Sequence, residues 1–390
     1  MSRFHSYLRT AAELVQAYSG AEPFASFLKK KFAAHKKFGS RDRREITQLC
    51  YSFFRLGKSA AALSLEEQFL VGLFLCSHQP QAVLQEMQPE WNTQIGLPIN
   101  DKLQLLQGRI HPAKFFPFAE ELSNDIDSVL FAQSHLVQPD LFIRIRPGYE
   151  AKVLQQLSRE GIPGTEIFPG CLALANGTKL EQVLAVNREV VIQDAASQQL
   201  GQLLQSIPST DPVTTVWDCC AASGGKSILV NDLLPNIRLT VSDVRESILR
   251  NLELRFKEAG ISRYQAFIAD LSRPWIAKDR QNESFDLIIA DVPCSGSGTW
   301  GRTPEYLTHF DPSSLSHYTH LQQSILRQVL PYMRSKGYLL YSTCSVFKQE
   351  NEEQVKWMEE ELGLRIVQSS SIKGYQYRAD TMYGALLQKA

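Results

Sequence analysis

Two cysteines and an aspartate are the residues of this sequence best suited to nucleophilic chemistry. Asp291 and Cys294 lie in the segment Asp-Val-Pro-Cys-Ser-Gly-Ser-Gly, directly after an apolar run, and Cys344 follows a second apolar run in Tyr-Ser-Thr-Cys-Ser. A buried cysteine is ordinarily an inert apolar side chain. Here Pro293 and the small residues after Cys294 favour an exposed loop, and hydroxyl residues flank Cys344. Both thiols are therefore candidates for covalent catalysis.

Methylation of C5 in a pyrimidine ring is a reaction that needs covalent help of the kind these residues can supply. Ring carbon C5 is a poor nucleophile until a thiolate adds at C6, which makes C5 able to attack a sulfonium methyl group. An acid near N3 stabilises the developing charge, a base removes the C5 proton, and loss of the thiolate restores aromaticity. Two cysteines and an aspartate on adjacent loops supply these parts.

A second set of residues is typical of a nucleoside pocket. The segment from Asp218 to Ser227 is a turn of small residues that leads into a helix, and such a turn lets a ligand approach the backbone. Asp243, Asp270 and Asp291 each follow one of the next apolar runs. An acid about 20 residues past the turn suits a ribose, and the next one suits an adenine amino group. Aspartates also cap helices after strands, but three in this arrangement favour a pocket.

Several kinds of protein are excluded by the sequence. Gly225-Lys226-Ser227 matches the end of a phosphate-binding loop, but Cys220 stands where that loop requires glycine. The seven cysteines form neither a zinc-binding CxxC pattern nor a disulfide framework. No run approaches the length of a membrane span, and nothing marks export. We therefore expect a cytoplasmic protein without metal or membrane attachment.

From residue 191 onward apolar strands alternate with amphipathic helices, which predicts a doubly wound, mostly parallel α/β sheet. The strands are expected at Val213–Trp217, Leu239–Ser242, Gln265–Ala269, Asp286–Ala290, Tyr338–Ser342 and Gly384–Leu387. The helices are expected near Lys226–Leu234, Glu246–Ala259, Leu321–Met333 and Asn351–Leu362. Ligands of such sheets bind beyond the carboxyl ends of the strands. Both cysteines and the three acids fall there.

The chain before residue 191 is predicted to form two further parts. Residues 1–135 form an all-helical domain, with apolar side chains at helical spacing and a capping box at Ser64 and Glu67. Residues 139–190 form a small α+β connector. The whole chain balances 41 basic against 41 acidic residues, yet residues 1–60 carry twelve Lys or Arg, Lys36 among them, against four acids. This basic end is either an RNA-binding surface or an ordinary solvated helix face.

Taken together, these motifs resemble the RsmB and Sun group of bacterial RNA cytosine-5 methyltransferases. The resemblance covers about the last 200 residues. The matching segments are Gln193–Ser197, Asp218–Ser227, Asp243 with Arg245, Asp270, Asp291–Gly298, Arg302–Glu305, Tyr341–Ser345 and Glu350–Glu352. Residues 40–45 and 51–55 are similar, more weakly, to the NusB-like helical domain of RsmB.

The resemblance implies a Rossmann-like, S-adenosylmethionine-dependent methyltransferase domain at 191–390, preceded by the connector and by a NusB-like RNA-binding domain. It implies that Cys344 attacks the base, that Cys294 assists product release and that Asp291 contacts the base. The cofactor ligands implied are Cys220, Ala221, Ala222, Ser223, Gly224, Gly225, Lys226, Asp243, Asp270 and Asp291. Arg302 and Pro304 are implied to contact the substrate. The expected partner is RNA, ribosomal at the level of the family, bound by a monomer.

Two other interpretations stay open at this point. In a DNA cytosine-5 methyltransferase Cys294 is the nucleophile, and Cys344 then has no role. A catalytically silent RNA-binding module keeps the fold without the chemistry, although retention of both cysteines and all three acids argues against it. Ser223 replaces the proline usual in this turn of the family, which puts the cofactor affinity rather than the activity in question.

Overall fold

The structure is a computed structural model that describes residues 3–34, 37–234, 236–275 and 283–390. Lys36, one of the amino-terminal basic residues, lies outside these ranges. The chain folds into two compact units. The helical unit comprises residues 1–120, 127–138 and 299–311, and the sheet unit comprises residues 121–126, 139–298 and 312–390.

Helices and strands alternate from residue 141 onward, after a run of helices. The helices are α1 (Arg3–Ala17), α2 (Phe24–Ala34), α3 (Ser40–Arg55), α4 (Leu65–Cys76), α5 (Ala82–Met87), α6 (Pro89–Thr93), α7 (Ile99–Leu105), α8 (Ser128–Ser134), α9 (Glu150–Arg159), α10 (Ala195–Leu203), α11 (Gly225–Leu233), α12 (Glu246–Ala259), α13 (Tyr306–His309), α14 (Leu315–Val329) and α15 (Glu352–Leu362). The strands are β1 (Leu141–Ile145), β2 (Gly164–Phe168), β3 (Cys171–Leu174), β4 (Val190–Ile192), β5 (Thr215–Asp218), β6 (Arg238–Asp243), β7 (Tyr264–Ile268), β8 (Phe285–Asp291), β9 (Met333–Thr343), β10 (Leu364–Ile372) and β11 (Met382–Lys389). No helix within the described residues has the length and hydropathy needed to cross a bilayer.

Within the helical unit, α1 buries one apolar face, whereas α4 is buried on all sides along residues 69–75. In α1 that face includes Phe4, Leu8 and Val15, at the spacing that predicted the helix. The capping box that begins α4 is present: the side chain of Glu67 accepts from the backbone nitrogen of Ser64, whose hydroxyl accepts from the backbone nitrogen of Glu67.

The segment 299–311, which follows the Cys294 loop in sequence, belongs to the helical unit. The ring of Trp300 packs against Phe116, with centroids 6.0 Å apart. The carboxylate of the buried Glu305 accepts a hydrogen bond of 3.0 Å from the backbone nitrogen of Phe24. The sequence placed this segment with the strands that flank it, whereas its aromatic and polar contacts are with the amino-terminal helices.

Within the sheet unit, the connector is a four-stranded sheet in the order β2-β3-β1-β4. Strands β1 and β3 and helix α9 lie where the sequence predicted them, and β2 and β4 were not anticipated. Every neighbouring pair in this sheet is antiparallel. Helix α9 buries Val153 and Leu157 in a small core of this layer.

The larger sheet has seven strands in the order β10-β11-β9-β8-β5-β6-β7. Strands β5 to β9 run parallel to one another, and β11 runs antiparallel between β9 and β10. The predicted doubly wound α/β fold is confirmed. Strand β10 was missed because a polar segment interrupts its apolar residues: Gln368, Ser369 and Ser370 at its centre are exposed.

Candidate active site

The two cysteine loops meet at the carboxyl ends of neighbouring strands. Strands β8 and β9 are parallel, with Asp291 opposite Ser342, so the loops that follow them lie side by side. The sulfur atoms of Cys294 and Cys344 are 3.3 Å apart, and both residues are half-buried free thiols. The fold therefore brings together the two thiols that the sequence singled out.

The surroundings of the two thiols differ. The pKa of Cys294 lies well above its usual value because its thiol hydrogen-bonds to Cys344 and is buried. Burial lowers the pKa of Lys226, but the charges of Asp291 and Cys344 outweigh burial and raise it. The raised pKa favours the protonated form of Cys294, and the sulfur of Cys344 interacts both with this thiol and with the Lys226 ammonium.

Asp291 is held at both carboxylate oxygens. Its Oδ2 is 2.5 Å from Nζ of Lys226, and its Oδ1 accepts a hydrogen bond of 2.8 Å from the hydroxyl of Ser342. The side chain is 28% exposed, so it is fixed in orientation but open to a ligand. The predicted catalytic trio of Asp291, Cys294 and Cys344 therefore lies on two adjacent loops.

Gly298, at the end of the Cys294 loop, connects this loop to the Cys344 loop and to the segment that contains Thr381. Its nitrogen donates to the carbonyl of Cys344, and its carbonyl accepts from the nitrogen of Thr381, both at 2.9 Å. A Cβ atom at position 298 would lie 1.8 Å from the Thr381 carbonyl oxygen. Only glycine allows this approach, so the loop after the Pro-Cys segment depends on a residue without a side chain.

Beside Lys226 and Asp291 lies a cavity of about 220 Å³. The predicted cofactor residues that line it are Cys220, Ala221, Ala222, Ser223, Gly225, Lys226 and Asp291. Three other predicted ligands, Gly224, Asp243 and Asp270, are not among its lining residues. Within the described ranges, no group of three or more His, Cys, Asp or Glu side chains is arranged to hold a metal ion.

The remaining predicted cofactor ligands have structural contacts. Gly224 has a left-handed backbone (φ 81°), and a Cβ there would lie 2.7 Å from the ring of Phe256. Asp243 accepts a hydrogen bond of 3.1 Å from the backbone nitrogen of Ala222, and so holds the turn. Asp270 accepts from Ser272 and Arg273 in its own loop. Cofactor binding by Asp243 and Asp270 therefore stays a prediction.

Ser223, which departs from the family's proline, also makes a specific contact. Its carbonyl and its hydroxyl each accept a hydrogen bond of 2.8 Å from Nη1 of Arg255. Helix α12, which carries Arg255, is thereby attached to the turn. With proline at position 223, the backbone carbonyl could still accept from Arg255, but the second hydrogen bond would be lost because proline has no hydroxyl group.

Asp218 is a site residue that the sequence argument placed in the turn but gave no role. It is buried and lines the cavity, and its Oδ2 accepts a hydrogen bond of 2.6 Å from Ser227. Its Oδ1 has no hydrogen-bond partner among the described residues. Burial raises the pKa of Asp218 to about 7. An unpaired buried carboxylate oxygen fits a cationic or N–H-donating ligand group.

Asn in place of Asp218 should change how the stability of the ligand-free protein depends on pH. Because folding raises the pKa of this acid, its contribution to stability is fully present below about pH 4 and is lost as the pH rises through about 7. Asn cannot ionise, so the Asp218→Asn variant should not lose this free energy of unfolding, which amounts to on the order of 4 kcal/mol at most. Denaturant unfolding of both proteins from acid to pH 8 measures it. Parallel stability curves would contradict the assignment.

The comparisons with known proteins agree with this geometry. Residues 207–382 match a family model described as 16S rRNA methyltransferase RsmB/F. These residues are thus similar to the methyltransferase domain of the RsmB/F family. The domain contains the small-residue turn and both cysteine loops. The resemblance noted in the motifs is thus confirmed for this part of the chain, and the likeness of residues 1–135 to NusB stays a prediction.

The relatives of the RsmB/F domain are partial matches in sequence. The Bacillus subtilis protein named "Probable ribosomal RNA small subunit methyltransferase B" is 32% identical over 227 residues, which are 56% of this chain and 49% of that protein. The chain thus spans about half the length of the curated relatives it matches.

Two solved structures share the fold. The crystal structure of PH0851 has a TM-score of 0.67 at 18% identity and covers 98% of each chain. The structure of NSun6 from Pyrococcus horikoshii with SFG has a TM-score of 0.58 at 14% identity, over 70% of this chain and 96% of its own.

The predicted substrate contacts fall outside the sheet unit. Arg302 and Pro304 lie within the match to the RsmB/F model but in the segment 299–311, which packs in the helical unit. The structure therefore does not bring them together with the cysteines as parts of one compact unit. Their contact with substrate stays a prediction.

Proposed function

We propose that this protein transfers a methyl group from S-adenosylmethionine to C5 of a cytosine in RNA, with Cys344 as the covalent nucleophile. The observation that carries the proposal is the 3.3 Å contact between the sulfur atoms of Cys344 and Cys294, beside the ion pair of Asp291 and Lys226. A thiol pair next to an oriented carboxylate fits addition to a pyrimidine ring.

The cavity fits the cofactor. S-adenosylmethionine is a nucleoside with an attached amino acid, and when bound it supplies an electrophilic methyl group. The unpaired oxygen of Asp218 suits the ammonium of that amino acid, and the small residues around Ala221 and Gly225 let the ligand approach the backbone. We assign these residues, with the other cavity-lining residues of the turn, to cofactor binding.

The chain's own residues account for the remaining steps. The Cys344 thiolate forms a bond to C6, and the electron pair of the C5–C6 double bond becomes available at C5. The ion pair of Asp291 and Lys226, oriented by Ser342, supplies a proton to N3 of the ring as C6 is attacked, and takes it back when the thiolate leaves. After methyl transfer a base removes the C5 proton, the bond from C6 to sulfur breaks and the double bond returns. Cys294, next to that sulfur, is placed to assist this elimination.

The contact between the two thiols favours the RNA-enzyme mechanism over the DNA-enzyme alternative, in which Cys344 has no role. In that alternative Cys294 attacks, yet Cys294 is the thiol whose pKa is raised well above its usual value. The names of the relatives refer to ribosomal RNA of the small subunit, and we therefore propose ribosomal RNA as the substrate.

The function is tested by incubating the protein with labelled S-adenosylmethionine and either RNA or DNA. We expect the label in RNA only, recovered as 5-methylcytosine after digestion to nucleosides. Label in DNA, or at another position of the base, would overturn the proposal. Absence of label from both, with cofactor binding retained, would favour the silent RNA-binding module.

We also propose that the basic helices of the helical unit bind RNA. Lys29, Arg41 and Arg44 are exposed on α2 and α3. Replacing all three with Gln should weaken RNA binding and reduce the slope of affinity against salt by about two to three, roughly one for each phosphate that is no longer neutralised. Fluorescence anisotropy across a salt series measures both quantities.

The matched control removes three exposed basic residues from the sheet unit, Lys257, Arg263 and Lys356. An equal fall in salt dependence in the control would refute a specific role of the helices. Substitution is a better test than deletion of the amino-terminal helices, because deletion would also uncover the apolar side chains of the segment 299–311.

A further inference from the structure

One buried carboxylate joins the two cysteine loops. Glu350 follows β9 and is fully buried, with 0% of its surface exposed. Its Oε1 accepts from the backbone nitrogen of Ser295 at 2.9 Å, and its Oε2 accepts from the hydroxyls of Ser295 and Ser345 at 2.5 and 2.6 Å. Ser295 is the residue after Cys294, and Ser345 is the residue after Cys344. Glu350 therefore holds the neighbour of each reactive thiol.

Glu350 is itself fixed from other elements. Gln322 of α14 donates to Oε1 of Glu350 at 3.2 Å and to the carbonyl of Pro293 at 3.1 Å. The hydroxyl of Tyr341 donates to the backbone carbonyl of Glu350 at 2.7 Å. If the carboxylate left this position, several buried hydrogen bonds would break. Each buried donor or acceptor left without a partner would raise the free energy of the folded protein.

The next residue adds a second attachment to the Cys344 loop. The side chain of Asn351 accepts from the hydroxyl of Thr343 at 2.6 Å and donates to the carbonyl of Ser345 at 3.0 Å. The segment Glu350–Glu352 was matched to the family from sequence, but the proposed mechanism gives it no role. Its contacts give it one as the support of both loops.

We propose that Glu350 is a positioning residue for both cysteines, which holds their sulfur atoms in contact and whose negative charge keeps the proton on Cys294. The importance of Glu350 for catalysis rests on the proposed covalent mechanism. Its effect on the distance between the two sulfur atoms does not depend on that mechanism.

The electrostatics agree with the charge part of the proposal. The hydrogen bond to Cys344 and burial raise the pKa of Cys294 most, and the charges of Cys344 and Glu350 raise it further. Burial raises the pKa of Glu350 itself, and its hydrogen bonds from Ser295 and Ser345 oppose that change. All its side-chain contacts are donors, which suit the ionised form. Among the described residues, the titratable groups that interact most strongly with Cys294 include Cys344, Glu350 and Tyr341.

The spacing is tested with phenylarsine oxide, a trivalent arsenical that bridges two thiols in contact. Glu350→Ala should bind it about tenfold or more weakly than the wild type, the order expected when one or two buried hydrogen bonds are removed. Glu353→Ala, at an exposed position of α15 three residues further along the chain, is the matched control and should bind like the wild type. Ser345→Ala, which removes one hydroxyl donor, replaces the first variant if that one does not fold.

Wild-type affinity for the arsenical in the folded Glu350 or Ser345 variant would overturn the positioning role. Because this measurement needs no methyl transfer, it separates the two proposals. A wild-type protein that lacks methyltransferase activity, but whose arsenical binding depends on Glu350, would refute the proposed function alone.

The charge is tested with Glu350→Gln. The serine hydroxyls can reverse and donate elsewhere, so the spacing and the arsenical binding should remain. Removing the charge should allow iodoacetamide to alkylate Cys294 at lower pH than in the wild type, as read by mass spectrometry across a pH series. Glu353→Gln should keep the wild-type profile. If the pH dependence of Cys294 alkylation were the same in Glu350→Gln as in the wild type, the proposed effect of the Glu350 charge would be refuted. A residue with a purely structural role would leave this pH dependence unchanged.

Discussion

Cys344→Ala should abolish methyl transfer and leave no covalent complex with RNA, whereas Cys294→Ala should accumulate one. Without the Cys344 thiolate nothing activates the ring, and a loss of at least about 10⁴-fold is expected for removal of a nucleophile. Without Cys294 attack and methylation proceed, but elimination slows. Denaturing gels of each variant with RNA and S-adenosylmethionine measure the adduct.

The control for both variants is Cys171→Ala, the same substitution in the connector sheet, which should form and release the adduct like the wild type. The opposite pattern, an adduct in Cys344→Ala and none in Cys294→Ala, would make Cys294 the nucleophile. Full activity without any adduct in both variants would rule out the covalent mechanism.

Asp291→Asn should lower methyl transfer by about 10²–10⁴-fold, the range for loss of an acid or base that acts in the transition state. The amide side chain of Asn has the same shape as that of Asp. It has no charge to pair with Lys226, and it cannot take part in proton transfer at N3 of the base. Because Lys226 has its pKa raised by Asp291, its titration should also move to lower pH. Single-turnover rates with RNA measure the first effect.

Ser342→Ala provides the graded control for Asp291. It removes the 2.8 Å hydrogen bond to Oδ1 but keeps the ion pair with Lys226, so the rate should fall by only about tenfold. Equal losses of rate in the two variants would mean that orientation, and not charge, is what Asp291 contributes.

The local signals of the sequence determined most of the secondary structure and the identity of the reactive groups. Strands β5 to β9 and β11 lie within a few residues of their predicted positions because each is an apolar run with turn residues at its end. For parallel strands, that alone predicts that Asp291, Cys294 and Cys344 reach the same edge of the sheet. The polar edge strand β10 lacks such a run, and the prediction missed it.

Only the tertiary structure decided which groups touch and which are desolvated. The contact between Cys294 and Cys344 joins residues 50 apart in sequence. The placement of the segment 299–311 with the helical unit depends on residues far away in sequence, such as Phe24, whose backbone nitrogen binds Glu305. The raised pKa of Asp218 and the hydrogen bonds of Glu350 arise from burial among several elements. Periodicity reports which face of an element is buried, but not what it is buried against, because that depends on contacts between residues distant in sequence.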